Sequence, residues 1–331
     1  MTRRFRSRRG LFIGGVVLAA LALALVIFLS PWFPRDRGDD PQQVAVVIEQ
    51  GDSLGRAAEK LEEAGVISSA DRFTLLARLL GGGGAIKTGE YAFYPSEGWS
   101  QHLATLQSGR SIQRMVVIPE GTPSVLVHER LMAAEHLTGE LAVPEEGSVL
   151  PASYDYRRGE ARTAVVARMQ AAMREELSRL WAGRKPGSFV STPREAIILA
   201  AIVEKETGKA EERRRIAGVY TNRLRQGMPL QADPTVIYPV TRGRPLGRRI
   251  LQSELDDSSN GYNTYARRGL PVGPIANPGK ESIAAVLDPE PHDFLYFVAD
   301  GTGGHVFART LAEHNANVER WFALRRQRGE M

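Results

Sequence analysis

The chain contains no cysteine among its 331 residues. Disulfides, thiol nucleophiles and cysteine-ligated zinc or iron–sulfur sites are therefore excluded. Histidine is scarce too, with six, and none of the six shows metal-ligand spacing. His128-Glu129 opens like a zinc-helix motif, but Met132 stands where the second histidine is needed. No Gly-x-Ser-x-Gly occurs, so a nucleophile elbow is missing. Gly81–Gly84 is not followed by Lys-Ser/Thr and reads as a flexible loop, not a phosphate cradle. Neither a metal nor a cofactor is expected, which leaves carboxylate chemistry as the economical choice.

Acidic residues are absent from residues 1–10, which hold Arg3, Arg4, Arg6, Arg8 and Arg9. Those five arginines equal the whole formal charge of +5. Beyond them, basic and acidic side chains are equal in number. Nucleic-acid binding needs cationic charge clustered on a working surface, so no nucleic-acid partner is expected. Charge is also absent from Leu11 to Leu29. As a helix this run spans about 28 Å, one bilayer core. Ser30-Pro31 ends it, and Trp32 and Phe33 are expected at the membrane interface. A cleaved signal peptide is the rival, but Ser30-Pro31-Trp32 makes a poor cleavage site. The positive-inside rule places the tail in the cytoplasm and the rest outside. The expected topology is thus a single membrane crossing with the N-terminus cytoplasmic.

The length suits two or three modest domains, and a hydrophobic fraction of 43% is enough for real cores. Residues 34–43 form a polar linker. Val44–Ile48 is strand-like, Gln50–Ser53 turns the chain, and Ser53 caps a helix to about Gly65. The pattern recurs: Val116–Ile118, the turn Glu120–Pro123, then a helix through Leu131. Gly51 and Gly121 fall in step, so a weak internal repeat of a strand–turn–helix unit is expected. Glu90–Tyr94 alternates as a strand and leads into a helix from Trp99 to Leu106. Residues 139–160 read as loop, and Thr163 to Trp181 as an amphipathic helix.

Thr192-Pro193-Arg194-Glu195 is a capping box with proline at the first helical position. The helix continues through Val203, apolar on every side and hence buried all round. It runs straight into Glu204-Lys205-Glu206-Thr207. A carboxyl desolvated at the end of a buried helix favours its protonated form, as a general acid requires. Glu204 and Glu206 point to different sides, and periodicity does not choose between them. Both could equally mark the solvated end of a core helix. A second helix spans Glu211 to Gln226, closed by Gly227, with Ile216, Val219, Tyr220 and Leu224 as its core face. Arg213–Arg215 are solvated or ion-paired. Aromatics then interleave with amides and hydroxyls in Leu230–Tyr238 and Tyr262–Tyr265. That composition suits sugar rings, which offer apolar faces and many hydroxyls. Phe294–Val298 and His305–Phe307 flank Asp300–Gly304 as a hairpin, and Thr310 starts a final helix.

Five segments then occur in order: Ile202–Thr207, Asn222–Met228, Leu230–Tyr238, Tyr262–Tyr265 and Tyr296–Gly301. In these the chain resembles the MltG (YceG-like) family, bacterial inner-membrane endolytic murein transglycosylases. The resemblance is dense from about 192 to 320 and looser from about 44 to 160. It implies a LysM-like module and an α+β YceG-like catalytic domain rich in antiparallel strands. The expected organisation is a cytoplasmic tail (1–10), a transmembrane helix (11–33), the linker (34–43), the LysM-like module (44–115), a connecting α+β subdomain (116–187) and the catalytic domain (188–331). Glu206 is the implied catalyst. Two departures stand out. Pro151-Ala152-Ser153-Tyr154 replaces the usual Pro-Asp-Thr/Ser-Tyr, and Gln231-Ala232-Asp233 replaces Gln-Thr-Asp.

The implied reaction is non-hydrolytic cleavage of the MurNAc–GlcNAc bond, with one glutamate as acid and then base. Ordinary glycosidases need two carboxylates, and the motif offers no obvious partner for Glu206. Gln231, Tyr238, Tyr262 and Asn263 are the expected substrate contacts. Asp233 is the nearby carboxylate, either substrate-facing or a loop cap, and His305 orients a catalytic or substrate group or is structural. The expected partners are peptidoglycan glycan strands and cell-wall synthases (penicillin-binding proteins). The competing functions are a non-enzymatic wall-binding scaffold and a hydrolase of the same polymer.

Overall fold

In the computed structural model the uncharged run is part of a longer helix, α1 (Arg3–Leu29), which begins within the arginine tail. The structure describes residues 3–35 and 42–329, those from 3 to 11 as helical backbone only. Most of the expected 34–43 linker lies outside the described residues. Phe12–Trp32 is long and apolar enough to cross a membrane. After α1 the segment Ser30–Trp32 forms one tighter turn containing Pro31. Trp32 departs from its expected interfacial position: it is buried, with its ring 6.4 Å from Phe73. Phe73 in turn packs edge-on against Trp99 at 5.9 Å, so an aromatic cluster takes the indole that a membrane interface would otherwise receive. Phe33 stays exposed.

The chain divides into two compact units, Met1–Arg114 and Met115–Met331. Beyond α1, the first holds β1 (Val44–Ile48), α2 (Leu54–Glu63), α3 (Ala70–Leu80), β2 (Gly89–Phe93) and α4 (Trp99–Ser108). The two strands pair antiparallel, with Val44 opposite Phe93 and Ile48 opposite Gly89. Ser53 and Ser69 each accept a backbone N–H at the start of α2 and α3, the expected chemistry of helix caps. Leu61, Phe73, Phe93 and Leu106 close a single core.

The second unit comprises β3 (Arg114–Val117), α5 (Ser124–Ala133), β4 (Ser153–Tyr156), α6 (Arg162–Ala182), α7 (Pro193–Glu206), α8 (Arg213–Arg225), α9 (Asp233–Thr241), α10 (Gln252–Leu255), α11 (Lys280–Leu287), β5 (Tyr296–Ala299), β6 (His305–Ala308) and α12 (Leu311–Gln327). β3 pairs with β4, which lies within the stretch read as loop. Ala152, at the departure from the family pattern, contributes its carbonyl to this pair by accepting the Ile118 N–H. The β5–β6 hairpin is as expected, antiparallel with Phe297 opposite Phe307. Helix outweighs sheet: the described strands form three two-stranded pairs. The fold is therefore mixed α and β, but not rich in antiparallel sheet.

Both segments read as strand–turn–helix form those elements, β1–α2 and β3–α5. Gly51 and Gly121 both adopt left-handed φ, at +94° and +71°, a region where glycine avoids the Cβ clash. Ile48 and Ile118 are buried, as are Leu61 and Leu131.

α7 organises the second unit. Thr192 and Glu195 form the expected capping box, and Ala196 to Val203 are all buried. Such burial contributes about 1.5–3 kcal/mol per large aliphatic side chain. α6, α8, α9 and α11 pack around it. Glu206 is thus the last residue of a helix held on several sides.

Candidate active site

Glu204 and Glu206, left equivalent by periodicity, sit in different surroundings. Glu204 accepts the Gly279 N–H at 2.9 Å and lies 3.5 Å from the Arg213 guanidinium. Arg213 also reaches Glu120 at 3.2 Å. Arg214 and Arg215 are ion-paired as well, with Asp288 and Glu290. Glu206 instead has a neutral donor. The Tyr220 hydroxyl on α8 donates to its Oε1 at 2.9 Å. Its Oε2 accepts no bond from a described residue.

Burial of the carboxyl pushes Glu206 up to about 7, against the lowering effect of the Tyr220 hydrogen bond. The Asp233 charge raises it further and the Arg223 charge lowers it. Desolvation penalises the charged form of an acid, and here it dominates. The group is poised between acid and carboxylate at neutral pH. Tyr220 is itself buried, so its phenol titrates well above its usual range and stays a donor.

Arg223 lies one turn beyond Tyr220 and is buried. Its Nε donates to the Leu295 carbonyl at 2.6 Å, and Nη1 to the Leu230 carbonyl at 2.9 Å and Gln231 Oε1 at 3.3 Å. The guanidinium also stands 5.0 Å from the Tyr296 ring centre. These contacts fix one positive charge near the acid.

α9 brings in the next group. Asp233 is its first residue and accepts the Tyr265 hydroxyl. Gln231 precedes it at a left-handed φ of +53°, uncommon for a residue with a Cβ. It is held there by donation of its N–H to the Thr264 carbonyl at 3.0 Å. Thr264 Oγ1 accepts the Ala232 N–H at 3.0 Å and meets Thr235 Oγ1 at 2.8 Å. The loop carrying Tyr262–Tyr265 is thereby tied to the start of α9, and Gln231 and Asp233 stay exposed.

The other expected residues are more dispersed. Tyr238 and Tyr262 pack together with ring centres 5.0 Å apart. The Tyr238 hydroxyl donates to Glu146 at 3.0 Å. Burial raises Glu146 above the ordinary carboxylate range. Asn263 cannot serve as the direct contact expected of it. It is fully buried, its amide donates to the carbonyls of Glu254, Leu255 and Asp257, and its Oδ1 accepts the Tyr265 and Ala266 N–H groups. Every polar atom is spent on its own loop. His305 Nδ1 stands 2.8 Å from Glu212, which also accepts the Thr207 hydroxyl at 3.1 Å. Its ring packs edge-on against Phe297, which packs edge-on against Tyr220. His305 is thus linked through Glu212 to Thr207, next to Glu206, and through Phe297 to Tyr220.

Sequence reasoning missed Tyr220, Arg223, Tyr265 and Glu146 as site residues. Tyr220 was assigned to the core face of α8, which is correct, but its hydroxyl had no visible target. Arg223 carried a usable signal: with Ile216 and Tyr220 it falls at i, i+4 and i+7, a charge on an apolar stripe.

A carboxyl poised near neutral pH at the end of a buried helix can both give and take a proton. The YceG-like family profile matches residues 46–320, and the chain belongs to that family. A Bacillus subtilis protein named endolytic murein transglycosylase is 33% identical over 185 residues, 56% of this chain and 50% of that one. A Streptococcus pneumoniae protein of the same name is 35% identical over 178 residues, 52% of this chain and 31% of that one. The chain thus spans half or less of the length of these relatives. A crystal structure of a YceG-like protein from Listeria monocytogenes is 27% identical, with a TM-score of 0.49, over 83% of this chain and 99% of that one.

Proposed function

We propose that the protein is a membrane-anchored endolytic lytic transglycosylase. It cleaves the MurNAc–GlcNAc bond of murein strands and leaves 1,6-anhydroMurNAc ends, so limiting strand length. The observation that carries this reading is the Glu206 carboxyl: poised near neutral pH, held by a neutral donor on one oxygen and open on the other. The names of the relatives support the same chemistry.

Protonated Glu206 donates to the glycosidic oxygen as the C1–O bond of MurNAc breaks. The bond's electron pair leaves with the GlcNAc hydroxyl. The new carboxylate, stabilised by Tyr220, takes the proton of the C6 hydroxyl on the same MurNAc. That oxygen bonds to C1, and the substrate's own N-acetyl group stabilises the cationic intermediate. Glu206 ends protonated, and no water is consumed. One acid whose protonation reverses between steps suffices where two carboxylates serve a hydrolase.

Gln231, Asp233 and Tyr262 face the sugar in this reading, with the Tyr238 ring beneath Tyr262. Asn263 and His305 are positioning residues. The first unit acts as the LysM-like glycan-holding module, and the connecting and catalytic parts share the second. α1 anchors the chain in the inner membrane with the arginine tail inside, where cell-wall synthases are the fitting partners. The test is Glu206→Gln on purified sacculi, read by mass spectrometry. The variant is expected to keep fold and glycan binding while anhydro ends fall at least about a hundredfold, the scale of a lost general acid. Retained activity in the variant would remove Glu206 as the catalyst, and a wild type that makes no anhydro ends would leave the protein a wall-binding scaffold.

A further inference from the structure

A concavity of about 440 Å³ is lined by residues of two elements that also carry the site, Lys205 of α7 and Pro234 of α9, the sequence neighbours of Glu206 and Asp233. Its floor is apolar, with Pro123, Leu126 and Ile237, and its rim carries Arg130, Lys205 and Arg244. The rim charges are unequally engaged. Arg244 is paired with Glu129, and Glu120 on the same wall is paired with Arg213. Lys205 Nζ has only the Gly121 carbonyl, at 3.5 Å. Arg130 has no hydrogen-bond or ion-pair partner among the described residues. Two cations are therefore available over an apolar floor.

That combination suits a different ligand from the Glu206 side. Gln231, Asp233 and Tyr262 offer amide, carboxylate and aromatic face to a sugar. An apolar floor under unengaged cations instead suits a short peptide with alkyl side chains and carboxylates. Murein carries such peptides on its MurNAc residues, next to the bond to be cut. We infer that this cavity is a subsite for the acidic stem peptide of the murein strand. The inference rests on the proposed function, and it makes the enzyme's choice of strand depend on peptide as well as sugar.

The test uses the full chain in detergent micelles and the exposed-residue variant Arg130→Glu. A sugar-free stem tetrapeptide is titrated calorimetrically into both proteins. Strands with peptides, and strands stripped of them by an amidase, are then digested side by side. The wild type is expected to bind the peptide, and the variant about fivefold more weakly, the upper range for an exposed ion pair. Cleavage of peptide-bearing strands falls by the same factor, while cleavage of stripped strands is unchanged. No peptide binding by the wild type overturns the subsite, and so does an equal loss on both polymers, which would mean that the cavity holds glycan. Peptide binding without anhydro products from either polymer would instead refute the Glu206 reading and leave the subsite standing.

Discussion

Glu204 and Glu206 stand two apart on one helix, yet one is bonded to a backbone N–H beside a guanidinium and the other to a phenol. Glu206, pushed up to about 7, can donate a proton near neutral pH. Its first step needs the protonated form, so kcat/KM is expected to fall as pH rises through about 7. Tyr220→Phe removes a bond that favours the carboxylate, which raises the pKa of Glu206. The alkaline limb should then move up by about one pH unit. An unmoved limb would make Tyr220 a packing residue only. Position along the helix was legible in the sequence, but environment was not. Arg213 and Tyr220 reach α7 from α8, and no spacing rule within α7 reports on them.

Elements with a strong local code were legible. α7 has its capping box, α12 begins at Thr310 with Glu313 completing another, and the β5–β6 hairpin has its glycine-rich turn. α9 was not legible as a helix. Thr235-Val236-Ile237 is β-branched and Pro239 lies inside it, features that depress helix propensity. It forms because Thr235 and Ala232 lock onto Thr264, a contact distant in sequence. α3 also went unanticipated, although Ser69 caps it and Phe73, Leu76 and Ala77 have helical spacing. On α4, His102 is fully buried, with neither ring nitrogen hydrogen-bonded and Glu97 4.0 Å away. Burial lowers its pKa from 6.5 to about 4. The unfolded chain then binds the proton more readily than the folded one between those values. Stability is therefore lost as pH falls from about 6.5 toward 4, by up to about 3 kcal/mol. Melting curves across that range should show the loss in the wild type and a much shallower dependence in His102→Leu. Equal slopes would contradict the assignment.

At the scale of the whole molecule, the missing cysteines and the localised charge point the same way. The positive charge belongs to the N-terminal tail, and the remainder is formally neutral, which is compatible with the proposed saccharide substrate. In the second unit α5 to α8, the β5–β6 hairpin and α12 were readable apart from β4, whereas α9, α10 and α11 were not. The convergence of α7, α8, α9 and the 262–265 loop on one carboxyl was not, because it rests on hydrogen bonds between segments far apart in the chain. Expected contacts such as Asn263 turned out to build that convergence from within.

The most direct test of the central claim is digestion of murein in heavy-oxygen water, with the new MurNAc ends read by mass spectrometry. An attack by the sugar's own C6 hydroxyl brings no solvent oxygen into the product. The account predicts unlabelled 1,6-anhydro ends, absent with Glu206→Gln. Reducing ends carrying one heavy oxygen would contradict it and make the protein a hydrolase.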